Sequence, residues 1–168
     1  MDAVAVLREG FGRLPELVRP TVEGLDASAL TWRPGPGANT LSWLVWHLAR
    51  QQDAQVAALA GTDEDWTAGG WAERAGLPLD SAVHGYGMDP AQVELVDVPA
   101  ELLLGYAASV HRSTMDYLGR ISGPDLEEVV DHDWDPPVTR GVRLVSVLDD
   151  ALQHLGQAAY VRGLWDRR

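Results

Sequence analysis

The chain has 168 residues, 46% hydrophobic and 23% charged, a globular composition that excludes disordered and low-complexity architectures and predicts one domain over 1–168. Its 13 basic residues, all arginine, face 25 acidic ones, and the formal charge of −12 repels phosphate backbones and anionic lipid surfaces, which argues against nucleic-acid and membrane partners. There is no cysteine, so disulfides, thiolate zinc sites and a protein thiol nucleophile are excluded.

Val4, Leu7, Phe11, Leu14, Val18 and Val22 recur at steps of three and four, which predicts a first helix over 3–23, kinked or stopped early by Pro15 and Pro20. Residues 25–40 carry two prolines and two glycines and read as a connecting loop. A second helix over 41–60 follows, capped by Asn39 or Thr40 and stopped by Gly61. From 62 to 98 glycines cut the chain into candidate short helices at 63–66, 71–75 and 90–96. A connection of this length that holds Trp66, Trp71 and Tyr86 reads as a lid or binding loop. The third helix is predicted over 99–120 with Pro99 at its first position, and the fourth over 142–164. Between them, Pro136 and Pro137 allow at most a short extended piece. Four amphipathic helices of about 20 residues make an all-α four-helix bundle the expected fold, with a long irregular connection between helices two and three.

Polar residues on the helix faces carry the chemistry. Asp150, His154 and Gln157 lie at i, i+4 and i+7 of helix four and share one face, a spacing that lets a carboxylate and an imidazole converge on one ion. His47, flanked by Trp43 and Trp46 in the apolar LSWLVWHLA (41–49), offers a third donor. The plain alternatives are a hydrogen-bonded core imidazole at His47 and a simple surface pair at Asp150 and His154. His84, His111 and His132 read as ordinary loop or helix-face histidines.

NTLSWLVWHLARQQDAQVAALAG (39–61), GWAERAGLPLD (70–80), WDPPVTRGVRLVSVLDD (134–150) and HLGQAAYVRGL (154–164) together resemble the DinB/YfiT-like superfamily of four-helix metalloproteins, in its actinobacterial mini-circle branch, related to mycothiol-dependent maleylpyruvate isomerases. The resemblance implies an up-down-down-up bundle whose divalent metal is held by one histidine of the second helix and two ligands four apart on the last. Those positions are His47, Asp150 and His154. Many relatives carry histidine at the position of Asp150, and the isomerases carry glutamate. Aspartate is shorter, and binds the ion if the helices approach more closely or through a water. Zinc is the first expectation, with nickel, manganese and iron(II) as alternatives.

Three protein ligands leave a coordination position for water or substrate. The resemblance implies a low-molecular-weight thiol, of mycothiol type, as cosubstrate of an S-transferase acting on a small electrophile. A metal-dependent hydrolase, or a non-catalytic bundle that binds a small molecule or dimerises over a degraded metal site, are the rival readings. Gln157 either orients a ligand or satisfies a neighbouring backbone group. Trp43, Trp46, Trp66, Trp71 and Tyr86 are either an apolar wall over the metal or core, with Trp43 favoured for the pocket and Trp46 for packing. Arg50, at i+3 from His47, would meet an anionic substrate at the cleft mouth or form a surface pair. A small-molecule substrate, a homodimer and a cytoplasmic location complete the expectations.

Overall fold

Asp2 accepts a hydrogen bond from the Ala5 amide at 2.8 Å and so starts α1 (Ala3–Gly12). The structure is a computed structural model and describes residues 2–168. The first predicted helix is two in fact, because α2 (Leu14–Val22) begins beyond a break at Arg13. Pro15 has no amide to give to the Phe11 carbonyl, so the helical ladder is interrupted there. A single turn, α3 (Ala27–Leu30), is capped by Asp26 and leads into the proline and glycine loop.

The central helix α4 (Leu41–Ala60) starts at Thr40, whose hydroxyl accepts from the Trp43 amide at 3.0 Å, and stops at Gly61 in the left-handed conformation. Residues 41–50 are all buried. The cause is the connection 62–98, which holds α5 (Asp65–Ala68), α6 (Trp71–Ala75) and α7 (Pro90–Glu94) and sets Trp66, Val93, Val96 and Val98 into the core. A helix covered all round needs no polar stripe, which accounts for the apolar LSWLVWHLA.

Pro99 caps α8 (Ala100–Leu118). A 3-10 turn (Pro124–Glu127) and the antiparallel strands β1 (Val129–Asp131) and β2 (Val138–Thr139) follow, with the two prolines in the loop between the strands. Thr139 then caps α9 (Arg140–Trp165), which therefore begins two residues before the predicted start.

Hydrogen bonds between helices set their directions. The Val98 amide donates to the Ser42 hydroxyl at 2.9 Å and Gln52 donates to Thr114 at 2.8 Å, so α4 and α8 run parallel. At the opposite end Arg140 donates to the Leu59 carbonyl at 3.1 Å and to the Tyr117 hydroxyl, which places the start of α9 against the ends of both. Arg162, late in α9, donates to the carbonyls of Pro20 and Glu23, so α1 and α2 run with α9. The bundle is up-down-down-up. One continuous core draws Phe11, Leu44, Leu103, Tyr106, Leu144 and Leu155 from all four positions. Each such leucine or phenylalanine contributes roughly 1.5–3 kcal/mol by leaving water. Among the described residues, no helix is long and apolar enough to cross a membrane.

Candidate metal centre

His47 lies in the second turn of α4, while Asp150 and His154 lie one turn apart on the facing side of α9. Because the two helices are antiparallel, all three side chains meet, with one donor atom from each within 4.8 Å of the others. The His47 and His154 rings stand edge to face, 4.6 Å between centroids, and His154 Nε2 is 3.5 Å from Asp150 Oδ1. The helices approach closely enough for aspartate, despite its missing methylene, to join the group.

The protonation states follow from the surroundings. His47 is 4% exposed, and its Nδ1 lies 2.5 Å from the His84 carbonyl oxygen. A carbonyl only accepts, so Nδ1 is assigned the proton and Nε2 the free lone pair. Burial holds the His47 imidazole below its usual pKa, against the opposing pull of that carbonyl. Hydrogen bonding to His154 holds the Asp150 carboxyl below the usual carboxylate range, against its partial burial. Asp150 Oδ2 and His154 Nδ1 are buried without any hydrogen-bond partner. Such orphans ask for an explanation, and a cation is the partner that a carboxylate beside two imidazoles fits. Two nitrogens and a carboxylate oxygen can hold a divalent metal.

Trp43, one turn before His47, stacks on its ring at 4.4 Å and meets His154 edge-on at 5.8 Å. The Trp43 indole donates to Met88 Sδ at 3.2 Å. Gly85 covers the other side of His47: a Cβ there would lie 2.5 Å from Nδ1, and its φ of +100° already demands glycine. Asp150 opens on a groove of about 550 Å³ lined by Gln51, Ala54, Ser146, His84 and Tyr86.

Several expected site residues stand elsewhere. Arg50 is fully buried and paired with Glu64 at 2.6 Å, so it meets no substrate at a cleft mouth and forms no surface pair. Trp71 packs on Tyr106 and Gly105 of α8 and under the Arg74 guanidinium, not over the ligand group. Trp66 is core, and Trp46 takes the packing role expected of it, the two rings edge to face at 6.2 Å. Tyr86 is at the groove but 84% exposed, a rim residue rather than a wall. Gln157 is exposed on α9 and makes no hydrogen bond to either ligand on that helix. The unforeseen participants are the His84 carbonyl, Gly85 and Met88. The two glycines of HGYGM (84–88), both with positive φ, are their one local signal.

The family model of the DinB superfamily matches residues 11–158. A crystal structure described as the conserved protein of locus from Enterococcus faecalis is 34% identical and superposes with a TM-score of 0.92, covering 100% of this chain and 99% of that one. Among curated proteins, none matches the sequence. With the bundle, the His47, Asp150 and His154 group and a family match over most of its length, the chain belongs to the DinB superfamily.

Proposed function

We propose that this protein is a divalent-metal-dependent S-transferase that joins a low-molecular-weight thiol, of mycothiol type, to a small electrophile in the groove beside Asp150. The observation that carries the reading is the convergence of His47, Asp150 and His154 within 4.8 Å, with Asp150 lining a groove of about 550 Å³. A divalent cation held there supplies Lewis acidity, lowering the pKa of a thiol and polarising a carbonyl.

The chain's own groups do the rest. His47 presents Nε2 because the His84 carbonyl occupies Nδ1. Asp150 brings one negative charge, so the three ligands leave a dication with net positive charge. Trp43 covers one face of His47 and excludes water there. Gln51, Gln55 and Ser146 line the groove with neutral hydrogen-bonding groups, which suit an uncharged polar cosubstrate. Since the protein has no cysteine, the sulfur comes from the cosubstrate. Its S–H bond gives the proton to solvent, the S–C bond forms, and the bond from that carbon to the electrophile's leaving group breaks, the group departing with the electron pair and taking a proton from solvent.

The test is incubation of metal-loaded protein with electrophiles, with and without thiol, beside His47→Ala. Conjugation is expected to require thiol and to fall to background in the variant. Product formed from water alone would instead establish the hydrolase reading. Less than about a tenth of an equivalent of zinc, nickel, manganese and iron(II) after reconstitution would remove the metal reading altogether.

A further inference from the structure

We propose that Arg50 is a positioning residue of the metal centre: its guanidinium ties down the 81–84 backbone so that the His84 carbonyl fixes the tautomer and orientation of His47. The inference rests on the function proposed above in treating His47 as a ligand.

Arg50 is one turn beyond His47 on α4 and has no solvent exposure. Its Nη1 donates to Glu64 at 2.6 Å and to the Tyr106 hydroxyl at 3.4 Å, and lies 3.7 Å from Asp53 Oδ2. Those acidic groups are enough to balance its charge. Its other two nitrogens go to a different place. Nε donates to the Val83 carbonyl at 3.3 Å and Nη2 to the Ser81 carbonyl at 3.2 Å. The next carbonyl along the chain, His84, is the one that His47 Nδ1 meets at 2.5 Å. This segment has no helix or strand of its own, and its internal bonds, Val83 amide to Asp80 carbonyl and Met88 amide to Gly85 carbonyl, do not reach α4. The loop is held to α4 by three side chains on successive turns: Trp43 through Met88, His47 through His84 and Arg50 through Ser81 and Val83.

The partners of a metal-bound imidazole choose which of its nitrogens is free, and losing them typically costs ligand affinity about 10–100-fold. A guanidinium is suited to this place because its fixed fork reaches a carboxylate and two carbonyls at once, which one ammonium cannot do. Without Arg50 the His84 carbonyl is free to drift, Nδ1 loses its acceptor, and the proton redistributes toward Nε2, where it blocks coordination.

The experiment compares the full-length chain with Arg50→Lys, Arg50→Met and Thr114→Val. Thr114→Val removes a buried hydrogen bond between α4 and α8 and touches none of the loop. Imidazole nitrogen NMR of the metal-free proteins reads the His47 tautomer, and calorimetric titration with zinc reads affinity. Wild type and Thr114→Val are expected to keep the Nδ1–H form. Arg50→Lys, which retains the charge beside Glu64, is expected to lose it and to bind zinc about 10–100-fold more weakly. Arg50→Met is expected to behave likewise where it folds. An unchanged tautomer in Arg50→Lys would overturn the proposal. So would the same loss in Thr114→Val, which would make the effect one of general loosening. Should the wild type bind no zinc, the proposed function falls, and the tautomer spectra alone decide on Arg50.

Discussion

Asp150 shares its two oxygens unequally: Oδ1 faces His154 Nε2, and Oδ2 is buried with nothing to accept from. An unpaired buried carboxylate oxygen is costly, so the charge is expected to matter more than the shape. Asp150→Asn keeps the volume and removes the charge, and should weaken zinc binding in calorimetric titration by at least about tenfold, or roughly 1.4 kcal/mol. His154→Ala should remove most of the affinity. Wild-type affinity in Asp150→Asn would show that the carboxylate is not a ligand. Gly85 tests the opposite wall of the site. Its φ of +100° and the 2.5 Å approach to His47 make Gly85→Ala both strained and obstructed. A loss of about 1–3 kcal/mol in urea unfolding is expected, together with weakened zinc binding. A neutral Gly85→Ala would mean that the loop can move off His47 without cost.

At the scale of elements, local chemistry accounts for what could be read in advance. Thr40, Gly61 and the prolines before α8 and inside the first helical segment act on their immediate neighbours, and the boundaries of α4 and α8 follow from them. Thr40 is itself buried, so Thr40→Ala should cost about 1 kcal/mol, seen as a lower thermal midpoint. The pair Asp150 and His154 was legible for the same reason, since helical spacing alone brings them to one face. Arg50 was not. Its partners Glu64, Ser81 and Val83 lie 14, 31 and 33 residues away in an irregular connection, and no periodicity reveals that such a loop will fold back over α4. The choice between wall and core at Trp71 stayed open for a related reason, because aromatic content marks a buried contact without saying which helix receives it. His111 on α8 supplies a pH test. Burial, with the Arg112 charge beside it, holds its imidazole below the usual value of about 6.5. The unfolded chain therefore binds more protons in the window just below that value. The stabilisation is complete above it and is lost as pH falls through the folded value. His47 acts in the same direction. In urea unfolding of metal-free protein, His111→Leu should flatten, without abolishing, the decline in stability below about pH 6.5. A decline as steep as that of wild type would show that His111 is not depressed.

For the whole molecule, the ligand group joins parts of the chain that folding brings together from far apart. His47 comes from α4 and Asp150 and His154 from α9, about 100 residues further along, so no unfolded chain offers the three donors in one place. A metal that binds the folded state alone stabilises it by mass action, by about 2.7 kcal/mol at a free concentration 100 times Kd. One continuous core predicts a single cooperative transition for this gain to act on. For a chain of this size the melting midpoint should rise by about 5–10 °C with zinc and return on adding a chelator. The charge of −12 sets the necessary control. Divalent ions screen the mutual repulsion of an acidic surface and raise stability slightly without any specific site, and that effect persists when His154 is removed. The discriminating quantity is thus the difference between wild type and His154→Ala at equal zinc. A shift confined to wild type is the expected result, and equal shifts in both would assign the stabilisation to the acidic surface and remove the ligand group as its source.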